Sequence, residues 1–198
     1  MDLIEKAKEY ARTVFAGDSG GHDFDHTMRV YRMAVLLAED EGADRETAAL
    51  AALLHDVDDR KLSPETCHNL GRARGFLYSC AYSPDSSEKV LEIISQISFS
   101  GGKVPDSLEG KCVQDADRLD AMGAIGIART FAYGGSKGRR LHDPAGEDKT
   151  TSVQHFYDKL LRLEGLMNTE TGRKLARDRH VYMEAFLTRF YAELDGVC

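Results

Sequence analysis

Apolar residues recur three and four positions apart along most of this chain, and that spacing restricts its fold more than any other feature. Leu3, Ala7, Tyr10, Ala11 and Val14 form one stripe. His26, Val30, Met33 and Leu37 form a second, which puts His26 on an inward face near the start of its helix. Val90, Leu91, Ile94 and Ile97 form another. This is the period of amphipathic α-helices. The residues between the stripes punctuate it. The Gly17–Gly21 segment breaks the first helix, and Gly42 closes the second as a C-cap. Asp44 caps a third helix, which runs through Ala48–Leu54. Ser63-Pro64 reads as a further helix start, and Gly101-Gly102 as a turn. Asp106 or Ser107 opens a helix carrying Val113 and Asp117, and apolar residues continue to Phe131. A polar, glycine-rich loop is expected over residues 134–149, then helices near 153–166 and 170–194 with Asn168 or Thr169 as the cap between them. Ile97-Ser98-Phe99, the one strand-like run, reads better as a helix end. The expectation is an all-α bundle of about eight helices in a single domain over residues 1–198. Its core spans about 20–135 and its C-terminal helices about 153–195.

Four side chains in this framework suit a divalent metal: His26, the His55-Asp56 doublet and Asp117. Imidazole nitrogen suits borderline transition metals, and carboxylate oxygen suits harder ions. Such a set leaves room for water on the ion. That water is acidified and can attack phosphorus, while the ion polarises a phosphoryl oxygen. Adjacent residues point about 100° apart on a helix. His55 and Asp56 can therefore share an ion only at a helix edge or end. Asp23, one turn before His26, either orients that imidazole or caps the helix.

The order His26, His55-Asp56, Asp117 resembles the signature of the HD superfamily of metal-dependent phosphohydrolases. The segments Gly21-His22-Asp23-Phe24-Asp25-His26, Leu53-Leu54-His55-Asp56-Val57-Asp58-Asp59 and Gln114-Asp115-Ala116-Asp117-Arg118-Leu119-Asp120-Ala121 all resemble its bacterial single-domain members. The likeness extends over Gly123–Gly135 and His155–Phe190. It implies an HD-domain helical bundle with one divalent ion on His26, His55, Asp56 and Asp117. Manganese or magnesium would serve, with iron, nickel, cobalt or zinc as alternatives. Relatives with two metals use extra histidines between the doublet and the last aspartate. Here that interval holds only His68, so a mononuclear hydrolase is expected. His55 and Asp56 are then catalytic through the metal. Asp59, one turn past His55, is the candidate to align or deprotonate the attacking water. Asp120 is expected to pair with Arg118.

The resemblance implies a small phosphorylated substrate, a nucleoside phosphate or triphosphate. The alternatives are a nucleotide-sensing module without turnover, or a phosphodiesterase. Phosphate oxygens beyond the metal's reach need cations, and Lys137, Arg139 and Arg140 form the densest basic segment, within Gly134–Arg140. Lys61 is a further candidate, as are His155 and Lys159, four apart on one helical face. Tyr31, Phe76, Tyr133 and Tyr157 are the aromatics on which a base could stack. A net charge of −7 and a pI near 5.5 argue against a nucleic acid polymer as partner. Four cysteines without CxxC spacing favour a reducing cytoplasm, and Cys112 reads as core. No signal-peptide pattern opens the chain, and no apolar run is long enough for a membrane span.

Overall fold

A computed structural model describes residues 2–17, 23–60, 62–97 and 103–197. The described residues form nine α-helices: α1 (Leu3–Val14), α2 (Phe24–Glu41), α3 (Arg45–Leu54), α4 (Gly71–Ser79), α5 (Pro84–Ile97), α6 (Leu108–Asp120), α7 (Gly123–Ser136), α8 (Ser152–Asp158) and α9 (Glu170–Leu194). Two short 3-10 turns, Leu160–Arg162 and Glu164–Leu166, lie between α8 and α9. No strand occurs among the described residues. The expected all-α class holds, with one helix more than the apolar stripes implied. The chain divides into two compact units, Met1–Asp117 and Arg118–Cys198, with the division inside α6.

In the first unit α3 is the central helix and packs on α1, α2 and α5. Every residue from Ala48 to Leu54 is at most 3% exposed. Four of those seven are alanines, which let the surrounding helices approach closely, while Leu50, Leu53 and Leu54 supply the apolar volume. Burying each leucine is worth about 1.5–3 kcal/mol. Asp44 starts α3 by accepting from Thr47 N at 2.8 Å. At its other end His55 is the C-cap residue, so the helix core delivers the doublet directly. Asp23 starts α2 by accepting from His26 N at 2.7 Å, and Gly42 ends it at φ 73°, where a side chain would be strained. Of the two roles open to Asp23, capping is the one observed. Ser107 Oγ accepts from Gly110 N at 3.0 Å and starts α6. Cys112 on α6 is fully buried, and burial pushes its thiol up to about 12.

The Ser63-Pro64 start is not used. Residues 64–70 form successive turns, and the next helix begins at Gly71. Ser63 Oγ donates back to Val57 O at 3.0 Å, toward the turn that follows α3. His68 is exposed in those turns rather than on a helix. The Gly17–Gly21 break and the Gly101-Gly102 turn fall mostly or wholly outside the described residues, as do His22, Ser98 and Phe99.

In the second unit α7 packs on α8 and α9. Phe131, Phe156, Phe186 and Phe190 join these three helices, with ring centroids 5.9–6.3 Å apart. The expected loop from Gly134 starts later, because α7 runs to Ser136. Gly134 is buried there, and a Cβ on it would meet Ser152 Oγ at 2.1 Å. That glycine serves helix packing rather than loop freedom. The helix expected over 153–166 stops at Asp158 and continues as the two 3-10 turns. Thr169 caps α9 by accepting from Gly172 N at 3.0 Å.

Because Leu53 is fully buried among three neighbouring helices, Leu53→Ala is expected to cost about 2–5 kcal/mol. Urea unfolding followed by circular dichroism measures it.

Candidate metal centre

The first unit brings His26, His55, Asp56 and Asp117 together. His26 comes from the first turn of α2, His55 and Asp56 from the end of α3, and Asp117 from the last turns of α6. His26 Nε2 lies 3.5 Å from Asp56 Oδ2 and 3.5 Å from Asp117 Oδ1. His55 Nε2 lies 3.1 Å from Asp56 Oδ2. One donor atom each from His26, His55 and Asp117 falls within 4.8 Å of the other two, the one such cluster among the described residues. The two rings meet edge to face, centroids 5.5 Å apart. Donors held about 2.0–2.2 Å from one ion are separated by roughly 3 Å when adjacent and about 4.4 Å when opposite. The pair distances of 3.1–3.5 Å lie in that range, and the 4.8 Å limit of the three-donor cluster is slightly wider.

The electrostatics also suit a cation. The side chains of His26 and His55 are 2% and 4% exposed, and those of Asp56 and Asp117 are 15% and 31% exposed. Burial opposes a charge on His55, but Asp56 and Asp117 outweigh it and raise the imidazole to about 9. The field that holds a proton there holds a dication more strongly. The tautomer fits as well. His55 Nδ1 lies 2.8 Å from Ala52 O. A carbonyl can only accept, so Nδ1 carries the proton and, in the neutral ring, Nε2 keeps its lone pair facing the cluster.

Three acids follow His55, and the structure separates their roles. Asp56 faces the imidazoles. Asp58 is buried and spends both oxygens on α4, accepting from Arg72 N at 3.0 Å and Ala73 N at 2.9 Å. Asp59 is half-buried at the turn, its carbonyl accepting from Leu62 N and Ser63 N. Lys61 lies outside the described residues.

The other expected cations belong to the second unit. Lys137 Nζ and the Arg139 guanidinium both sit over the Tyr133 ring, 5.5 and 5.4 Å from its centroid. His155, partly buried on α8, has its pKa lowered first by burial and then by the charges of Lys159 and Arg139. Arg139 and Lys159 are therefore near enough to His155 to disfavour its charged form. Lys159 is the residue that ends α8 rather than a position on its face. Arg140 is partly committed, donating to Asp143 Oδ1 at 2.9 Å.

Asp143 is a residue that sequence reasoning missed. It is 8% exposed, and its Oδ2 accepts from Glu147 N and Asp148 N at 2.9 Å. Arg140 O and Leu141 O accept from Ser152 N and Val153 N at the start of α8. The basic segment is thus built around one carboxylate. Its only advance signal was an acid inside a polar loop. Also missed were Arg129 and Arg179, which donate to Asp120 and to Leu119 O, and so satisfy the end of α6. Asp120 pairs with Arg129, and the Arg118 guanidinium donates to Leu166 O. Among the aromatics, Phe76 is buried and stacked on Tyr10 at 4.8 Å, so it offers no open face to a base. Tyr133 and Tyr157 are exposed.

A helical unit that gathers two histidines and two aspartates in this order defines an HD domain, and the HD domain family matches residues 23–122. The chain belongs to that family. It is 37% identical over 201 residues to the YpgQ protein of Bacillus subtilis (strain 168), covering 100% of this chain and 96% of YpgQ. An HD-superfamily hydrolase from Bacillus thuringiensis has a similar structure, with a TM-score of 0.84 and 44% identity over 97% of this chain and 96% of that one. The structure of B. subtilis YpgQ in complex with ADP is similar at a TM-score of 0.84 and 37% identity, over 98% of this chain and 100% of that one. No described helix is long and apolar enough to cross a membrane.

His55→Ala and Asp117→Ala are each expected to abolish stoichiometric metal binding in a folded protein. Metal analysis by mass spectrometry after dialysis against Mn(II) checks it; full occupancy in both variants would show that the cluster is no metal centre.

Proposed function

We propose that this chain is a metal-dependent phosphohydrolase that cleaves a phosphate ester or anhydride of a small nucleotide with water. The observation that carries the reading is the convergence of His26, His55, Asp56 and Asp117 in a chain of the HD family. The ADP complex of YpgQ supports a nucleotide as the ligand.

His26, His55, Asp56 and Asp117 would hold one divalent ion, manganese or magnesium. When bound, the ion supplies a Lewis acid for phosphoryl oxygen and makes water more acidic. Burial of the imidazoles keeps bulk water off the ligand side. The hydrogen bond from His55 Nδ1 to Ala52 O holds the ring in its donor orientation. Asp59 takes the proton of the attacking water or aligns it. Asp58 cannot take that part, because both its oxygens accept backbone N–H groups. In the second unit, Lys137, Arg139, His155 and Lys159 bind phosphate oxygens, and Arg140 and Lys61 add charge. Tyr133 is the aromatic beside Lys137 and Arg139. The four-ligand set favours turnover over a sensing role.

Two measurements follow. Turnover of nucleoside mono-, di- and triphosphates in ¹⁸O-labelled water is expected to place one label in a phosphate product. A phosphorylated side chain on the productive path would contradict direct attack by water. The Lys137→Ala, Arg139→Ala double variant should keep its metal and lose about tenfold or more in kcat/KM, mostly through KM. Each charge-assisted hydrogen bond is worth about 1.5–3 kcal/mol. Wild-type kinetics on all three classes would reduce the basic segment to a solvated surface.

A further inference from the structure

The turn after the His55-Asp56 doublet is fastened at two points. The chain leaves α3 at His55 and passes through Val57, Asp58 and Asp59 to Ser63. Asp58 is 5% exposed, and its two oxygens accept from Arg72 N and Ala73 N. These are first-turn donors of α4, which no carbonyl within that helix can satisfy. Leu70, the residue before α4, makes no side-chain cap and stands at φ 54°, a left-handed backbone disfavoured for a residue with a Cβ. Asp58, twelve residues upstream of Leu70 in sequence, thus does the capping that the local residue does not. Tyr10 Oη donates to Arg72 O at 3.3 Å and ties α1 to the same point. The second fastening is Ser63, whose Oγ donates to Val57 O at 3.0 Å and whose N donates to Asp59 O at 2.8 Å.

We infer that Asp58 is a positioning residue for the metal centre, with Ser63 as its second anchor. The inference rests on the metal reading above. Asp58 hooks the doublet's turn onto α4, and so fixes the chain on the C-terminal side of Asp56 as the buried α3 fixes it on the N-terminal side. Asp56 Oδ2 is thereby held beside both imidazoles, and the start of Asp59 is set. A free turn would let Asp56 swing out to water, where a carboxylate is better solvated.

The test compares Mn(II) affinity, read from the electron paramagnetic resonance of free and bound ion, in the full chain and three variants. Asp58→Ala is expected to bind Mn(II) about tenfold or more weakly while its far-ultraviolet circular dichroism is unchanged in the cold, the usual range for groups that support metal ligands. Asp58→Asn, which keeps one carbonyl acceptor, should fall between. Asp44→Ala removes a comparable cap from the other end of α3, and should lower the thermal midpoint yet keep wild-type affinity. Wild-type affinity and line shape in Asp58→Ala would overturn the inference, as would an equal loss in Asp44→Ala, because affinity would then merely follow stability. If Asp58→Ala does not fold, Asp58→Asn and Ser63→Ala decide it, and wild-type affinity in both overturns it. Absence of Mn(II) binding in the wild-type chain would instead bring down the metal reading, and this inference with it.

Discussion

Burying two imidazoles beside two carboxylates is unfavourable unless a positive charge balances them, and the first unit is arranged around that balance. His26 and His55 are taken almost wholly out of water, and Asp56 and Asp117 approach them within hydrogen-bonding to ion-pair distance. Desolvation alone would drive His55 neutral. The neighbouring carboxylates reverse that and raise it to about 9. The carboxylates that favour a positive charge on that imidazole also favour a cation placed among the four side chains. The helices supply rigidity. α3 is buried along its last seven residues, so the backbone that presents His55 has little room to move.

The second unit solves a different problem with the same means. Its basic segment carries several cations close together. Tyr133 accepts Lys137 and Arg139 on its ring, and Asp143 draws Arg140 and two residues of following backbone into one turn. Gly134 brings α7 against Ser152 at the head of α8. Packing of the four phenylalanines of α7, α8 and α9 supports that arrangement from beneath.

Asp56, Asp58 and Asp59 show why composition near a motif does not settle roles. All three are aspartates within four residues, and in the sequence each is a possible ligand, base or surface acid. In the folded chain one faces the imidazoles, one caps a helix that starts thirteen residues later, and one stays half-buried at a turn. The difference arises from where the turn after α3 points each carboxylate, which depends on α4 being docked nearby.

The sequence alone determined the helical class, because the period of apolar residues from Leu3 to Ile97 is a local property of the chain. It also determined several helix boundaries. Asp44, Gly42 and Thr169 act on backbone groups only a few residues away. The four candidate ligands were legible as a set, because the order His26, His55-Asp56, Asp117 resembles the HD signature, and the apolar stripe placed His26 on an inward face. Tertiary structure decided what distant partners control. Ser63 looked like a helix cap, but the residues after it form turns, with the next helix starting at Gly71, and Gly134 looked like a loop residue until Ser152 came against it. Asp120 pairs with Arg129 because the turn into α7 brings that guanidinium round. Local signals act through neighbours in the chain. A side chain that has several possible partners is assigned only when packing has chosen which of them is near.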